Sequence, residues 1–294
     1  MIFAKGFSGP EGPVVLDNGN ILIVEFVSDK GCVTHISSDG KTSNVIAKTG
    51  SPNGLAIDKN GVIWVAESKE PSLLKMTMDG KYEVFLTGCN GESFMLPNDL
   101  AFGPDGALYL TDSGFRPEDF YVDGKARDDF QNIPYDGRVY KINTETKDIV
   151  KLDSGILLTN GIAFGPDGDL YVNETNTGMV YRYRIEKDKS GVLSVSGKRE
   201  GFGNVNAQGD YGRHGPDGMK FGADGNLYVA VWGQGDVTVL GKDSSVINRI
   251  KTGGMQPTNL AFGLPGDKKL YVTEMEFGTV EVYDIGIDGL PLYK

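Results

Sequence analysis

Apolar and polar positions along this chain alternate in short paired runs, and the pair recurs six times. Residues 11–25 read EGPVVLDNGNILIVE, residues 53–67 NGLAIDKNGVIWVAE and residues 98–112 NDLAFGPDGALYLTD. Residues 160–174 read NGIAFGPDGDLYVNE, residues 217–231 DGMKFGADGNLYVAV, and residues 258–274 TNLAFGLPGDKKLYVTE with a longer turn. Each unit is an apolar stretch, a turn rich in Asp, Asn and Gly, and a second alternating stretch, which predicts a β-hairpin. A third strand is predicted after the hairpins, at 31–36, 72–76, 137–142, 178–183, 235–240 and 278–283. A fourth, more polar strand follows in several units, as at 81–86.

Four antiparallel strands recurring about every 40–50 residues is the period of a propeller blade. The fold expected is therefore all-β, a six-bladed β-propeller of four-stranded antiparallel blades, with residues 1–294 as one domain. Two intervals between units are longer, so expansions are expected at about 113–136 and 186–213. Their Gly, Asp, Asn and aromatic content reads as irregular structure, with room for no more than a short helix. An open propeller would expose strand edges, so residues 1–7 are expected to pair with the last blade and close the ring.

Composition narrows the function. The net charge of −11 argues against nucleic acid and against an anionic membrane surface, since both call for a basic patch. No run approaches a membrane span, and the N-terminus lacks a basic region followed by an apolar run. A cytoplasmic monomer is the expectation. Cys32 and Cys89 are too few for a disulfide framework and are expected as free thiols.

The first positions of the six units are Glu11, Asn53, Asn98, Asn160, Asp217 and Thr258. Equivalent positions on the innermost strands of a propeller form a ring around the central channel. This ring offers two carboxylates, three carboxamides and a hydroxyl, all oxygen donors. Asn and Asp are common turn residues, so part of the pattern is turn chemistry. Glu is not, and Glu11 asks for another reason. Oxygen donors without His or Cys suit a hard cation, with Ca2+ favoured over Zn2+, Mn2+, Mg2+ or Fe2+. Glu11 and Asp217 would balance the charge of one divalent ion.

At these residues the chain resembles the senescence-marker (SMP-30)/gluconolactonase/lactonase-like family, which includes lactonases and diisopropylfluorophosphatase-like phosphotriesterases. The carriers are Gly-Pro-Glu-Gly at 9–12, Pro-Asn-Asp at 97–99, Asn-Gly at 160–161 and Pro-Asp-Gly-Met at 216–219. The resemblance covers essentially the whole chain. It implies a metal bound by Glu11, Asn98, Asn160 and Asp217, with Asn53 a substrate or water contact and Thr258 outside the ligand set. It also implies hydrolysis of a small lactone, with Asp217 as general base or as nucleophile. The rivals are a phosphotriesterase, for which the same ligand set would serve, a non-catalytic NHL-type binding propeller, and a strictosidine-synthase-like lyase.

Other candidates come from position. His214 precedes Asp217 by three residues and is a candidate acid, base or substrate contact; the competing reading is a loop histidine bonded to backbone. Phe115 and Trp232 follow strand ends on the presumed substrate side. The expansion at 113–136, with Phe115, Arg116, Phe120, Tyr121 and Phe130, is a candidate lid. Glu25, Glu67, Asp112, Glu174 and Glu274 end the second strands in register, as solvated rim acids or, near Asp112, a second ion site.

Overall fold

In the computed structural model the chain forms six four-stranded antiparallel sheets arranged as the blades of a β-propeller. The structure describes residues 1–27, 29–122, 125–127, 129–189, 193–209 and 212–294, with the backbone alone at 121, 122, 125, 126 and 131. From the innermost strand outward, blade 1 is Pro10–Val15, Ile21–Glu25, Cys32–Ile36 and Ser43–Lys48. Blade 2 is Pro52–Ile57, Ile63–Glu67, Ser72–Met76 and Tyr82–Leu86. Blade 3 is Pro97–Phe102, Leu108–Asp112, Gly137–Ile142 and Ile149–Ile156. Blade 4 is Thr159–Phe164, Leu170–Glu174, Met179–Lys187 and Leu193–Asn204. Blade 5 is Gly215–Phe221, Leu227–Trp232, Asp236–Leu240 and Val246–Lys251.

Blade 6 takes three strands from the C-terminal end, Pro257–Phe262, Lys269–Glu274 and Thr279–Asp284, and its outermost strand Ile2–Lys5 from the N-terminus. The closure expected of residues 1–7 is therefore observed. Each innermost strand lies against those of both neighbouring blades, blade 6 against blade 1 included, so the ring has no open edge.

The core is divided in the same way. Six buried apolar clusters each lie between two adjacent blades. The Leu-Tyr motif of the second strand, repeated in blades 3 to 6, supplies part of four of these joints. Tyr109 packs edge-on against Phe164 of the next blade at 4.9 Å, Tyr171 against Phe221 at 4.9 Å and Tyr228 against Phe262 at 5.2 Å. Each of these hydroxyls donates to the Asp of its own hairpin turn, Asp105, Asp167 and Asp224. One repeated sequence thus joins turn, strand and neighbouring blade, and buried hydroxyls are left with partners.

One expectation is corrected, and the room left for a short helix is used. The expansion at 186–213 is largely ordered strand: Leu193–Asn204 runs twelve residues and pairs with Met179–Lys187. Its sequence is polar because it is the outermost strand of its blade, so the apolar alternation that reveals a strand is weak there. The expansion at 113–136 holds a one-turn helix, Pro117–Phe120, a 3-10 turn, Phe130–Asn132, and a two-stranded hairpin, Tyr121–Val122 with Lys125–Ala126. The side chain of Tyr121, expected in this lid, lies outside the described residues. Cys32 and Cys89 are buried free thiols. Among the described residues no helix is long and apolar enough to cross a membrane.

Candidate functional site

All six innermost strands share an irregularity. Their pairing with the second strand slips just after the first residues, between Glu11 and Val14 in blade 1 and at the matching place in the other five. A bulge of this kind breaks strict alternation. Two consecutive residues can then both face the channel, which a regular strand forbids.

The first tier contains the expected ring. Glu11 is buried, and its Oε2 accepts the Gly12 N–H at 2.7 Å. Asn98 and Asn160 are buried and donate their Nδ2 groups to hydroxyls that follow the second strands, Ser113 at 3.0 Å and Thr175 at 3.3 Å. Asp217 remains half-buried at the channel. Two backbone carbonyls in this tier are held from the next blade back: Thr111 donates to the Asn160 carbonyl at 2.6 Å and the Asn173 amide to that of Asp217. Thr258 is turned to structure. Its hydroxyl donates to the Pro10 carbonyl at 2.7 Å and meets Thr273 Oγ1 at 2.8 Å, stitching blade 6 to blade 1.

The second tier was not legible as a site. At the next position four blades carry Gly12, Gly54, Gly161 and Gly218, while blades 3 and 6 carry Asp99 and Asn259. Gly54 and Gly218 clear space for these two side chains. A Cβ on Gly54 would lie 2.9 Å from Asp99 Oδ1, and one on Gly218 would fall inside the Asn259 carboxamide. Asn259 Nδ2 donates to Asp99 Oδ2 at 3.5 Å, and Lys220 Nζ lies 3.8 Å from the same oxygen. Comparing the six units at this column, where Gly is the rule, is the sequence signal that would have found Asp99 and Asn259.

The electrostatics follow from burial. Desolvation pushes Glu11 well above the usual carboxylate range, and the charges of Asp217 and Asp99 push it further, against the Gly12 N–H and Asn259. Asp217 is raised mainly by desolvation and also by Asp99, with Asn160 and the charge of Arg213 acting the other way. Acids raised by desolvation and by neighbouring carboxylates are what a bound cation relieves, and the donors present are carboxylate and amide oxygens. These residues therefore fit a hard divalent ion. Among the described residues no three His, Cys, Asp or Glu side chains gather as a metal-ligating group, so the fit depends on the asparagines.

The remaining candidates separate. His214 is half-buried, and its Nδ1 lies 2.9 Å from the Gly212 carbonyl, a backbone contact within its own loop. Phe115 packs on Phe120 and Tyr135 inside the aromatic cluster of the 113–136 insertion. Trp232 lies beneath the guanidinium of Arg213.

The strand-end acids are neither solvated nor arranged for an ion. Each accepts backbone N–H groups from the segment entering its own blade: Glu25 from Ser8, Glu67 from Ser51, Glu174 from Leu157 and Glu274 from Gln256. Asp112 accepts three, from Met95, Leu96 and Gly114. Burial nevertheless leaves its carboxyl above the ordinary value. Carboxylate oxygens taken by N–H donors are poor cation ligands; among the described residues Glu67 keeps one buried oxygen, Oε2, without a hydrogen-bond partner. Two surface depressions of 360 and 490 Å3, beside Val84–Ser93 and beside Asp153 and Arg199, border outer strands rather than the channel.

Residues 9–276 match the family model described as the SMP-30/gluconolactonase/LRE-like region. A gluconolactonase of Zymomonas mobilis is 25% identical over 286 residues, covering 90% of this chain and 76% of its own. The diisopropyl-fluorophosphatase of Loligo vulgaris is 29% identical over 305 residues, covering 97% of this chain and 91% of its own. Among solved structures, a calcium-binding protein, regucalcin, from Agrobacterium tumefaciens superposes with a TM-score of 0.75 at 20% identity, covering all of this chain and 96% of the other.

Proposed function

The chain belongs to the SMP-30/gluconolactonase/LRE-like family, and on that premise we propose that it is a metal-dependent hydrolase opening the ester ring of small lactones. The observation that carries this reading is the ring of oxygen donors at the heads of four innermost strands, where Glu11, Asn98 and Asn160 are buried and Asp217 is half-buried. Glu11, Asn98, Asn160 and Asp217 would hold the ion, with Ca2+ favoured by the all-oxygen set.

A bound divalent cation supplies positive charge where the ester carbonyl becomes an oxyanion. The chain's own residues do the rest. Asp217, half-exposed to the channel, takes the proton of the attacking water and returns it to the ring oxygen as the ester bond breaks. The products are then one hydroxy acid and no free leaving group. Asn173, which donates to the Asp217 backbone carbonyl, fixes its orientation. Asn53, buried at the head of the innermost strand of blade 2, is the amide assigned to a substrate hydroxyl or a water.

The test is acid release from a panel of lactones, followed with a pH indicator before chelation, after it and after calcium is restored. Turnover that disappears and returns supports the reading, and turnover indifferent to chelator overturns it. Asp217→Asn should keep the fold by circular dichroism and lose about a hundredfold or more in kcat. The likeness to the Loligo enzyme justifies a phosphotriester in the same panel. Hydrolysis of that compound with no lactone turned over would move the assignment to phosphotriesters.

A further inference from the structure

One residue past the place of the strand-end acids, the six blades carry Phe26, Ser68, Ser113, Thr175, Trp232 and Met275 in order. Hydroxyls stand there in blades 2, 3 and 4, the three blades whose ring residue is an asparagine, Asn53, Asn98 and Asn160. The blades whose ring residues are Glu11, Asp217 and Thr258 carry none. Ser68, Ser113 and Thr175 are all buried. Ser68 donates to the Pro97 carbonyl at 2.9 Å and Thr175 to the Pro216 carbonyl at 2.8 Å, so each reaches the residue just before the ring position of the next blade. Thr175 Oγ1 also accepts Asn160 Nδ2 at 3.3 Å, as Ser113 Oγ accepts Asn98 Nδ2 at 3.0 Å. Among the described residues the hydroxyl of Ser68 has Pro97 as its partner and makes no bond to Asn53.

A hydroxyl carries a single proton. Thr175 gives its proton to the Pro216 carbonyl, so toward Asn160 it can only accept. Turning the Asn160 amide over would set Oδ1 against that oxygen, lone pair against lone pair, and burial keeps water from relieving the clash. The Asn160 amide is therefore held with Nδ2 on Thr175, and its planarity directs Oδ1 away from that hydroxyl. Orientation decides ligation here, because a hard cation takes the amide oxygen and not the NH2 group. The same Thr175 hydroxyl holds the carbonyl next to Asp217, so it fixes the heads of two innermost strands, those of blades 4 and 5.

We propose that Thr175 is a positioning residue of this site: it locks the Asn160 amide with its carbonyl oxygen left for the cation, and ties that ligand to the strand carrying Asp217. This deepens the metal-dependent reading and rests on it.

The probe is calcium alone, titrated by calorimetry into cation-free full-length protein. Thr175→Val keeps the shape and removes the hydroxyl, and calcium affinity should fall by about tenfold or more, the usual cost of losing a group that orients a metal ligand. Thr175→Ser restores the hydroxyl and should stay within about twofold of wild type. Ser68→Ala loses the matching contact to the next blade but none to an amide. It should melt lower, as Thr175→Val does, yet bind calcium as wild type does. A second measurement needs no metal: side-chain amide hydrogen exchange of Asn160, followed by NMR in cation-free protein. That exchange should be slow in wild type and in Thr175→Ser and fast in Thr175→Val, with Asn98 unchanged. Wild-type affinity in Thr175→Val, no recovery in Thr175→Ser, or an equal loss in Ser68→Ala overturns the proposal, by making Thr175 a fastener between blades. A wild type that binds no divalent ion sinks the metal-dependent reading, and the exchange measurement then decides alone. Asn160 exchange that is fast in wild type, or indifferent to Thr175→Val, overturns the locked amide; protection lost only with the hydroxyl sustains it.

Discussion

Asn259 reaches across the channel to Asp99, with 3.5 Å between Nδ2 and Oδ2, although 160 residues separate them in the chain. The contact joins the sixth blade to the third below the ring that holds Glu11 and Asp217. Gly54 and Gly218 leave it room, since a Cβ on either would collide with Asp99 or Asn259. The channel is therefore filled from two sides, and Lys220 brings the one ammonium paired with Asp99 there among the described residues.

The second tier sets the field at the ring above it. Asp99→Asn removes a negative charge and Lys220→Met a positive one, so their effects on cation affinity should have opposite signs. Calorimetry should find calcium bound about tenfold more weakly in the first and about tenfold more tightly in the second, the order expected of one charge several ångströms away. Equal effects of the same sign would mean that the tier acts through packing alone.

Gly218→Ala should drive the Asn259 carboxamide out of place and cost about 1–3 kcal/mol, the usual penalty of overpacking a filled interior. The double variant Gly218→Ala with Asn259→Ala should recover much of that loss, since the collision is gone. Thermal melts of the two single variants and the double variant measure the coupling directly.

Asn173 donates to the Asp217 carbonyl, while its own Oδ1 is buried without a partner among the described residues. Asn173→Ala removes a useful donor and an unsatisfied acceptor together, so stability should change by only about 1 kcal/mol. Activity should fall further than stability, because the residue that fixes Asp217 is lost. Asn173→Asp faces a carboxylate with a carbonyl and should be the more destabilising variant, as denaturant titration can show.

Metal removal should make stability depend on pH in a definite direction. The folded values of Glu11 and Asp217 lie above their ordinary values, so the cation-free folded state holds protons that the unfolded chain gives up. Stability from these groups is complete below the ordinary carboxylate range and is lost as pH rises through the raised values. The melting temperature of chelated protein should fall over that rise. Calcium should flatten the slope, with proton release on binding measurable by calorimetry in buffers of different ionisation heat.

Much of the fold could be read from the chain because a propeller repeats its instructions. The hairpins at 11–25, 53–67, 98–112, 160–174, 217–231 and 258–274 all carry the period of a strand, and ring closure follows from the need to cover edges. The positions of Glu11, Asn98, Asn160 and Asp217 at the head of the innermost strands were legible for the same reason. The outer strand Leu193–Asn204 was not, because one face in water leaves too little apolar alternation to detect.

Tertiary structure alone decided the depth of the site. Alternation along a strand sends consecutive residues to opposite faces, so nothing local predicts that Asp99 and Asn259 share the channel with Asn98 and Thr258. The slip shared by all six innermost strands, and the glycines opposite, make it so. Nor does local sequence distinguish Thr258, whose hydroxyl is spent on Pro10, from a ring donor, or show that Arg213 of blade 5 meets the rings of a blade 3 insertion. The chain determines which groups are available at each repeat. Closure of the ring determines which of them meet, because it brings together residues far apart in sequence and withdraws them from water.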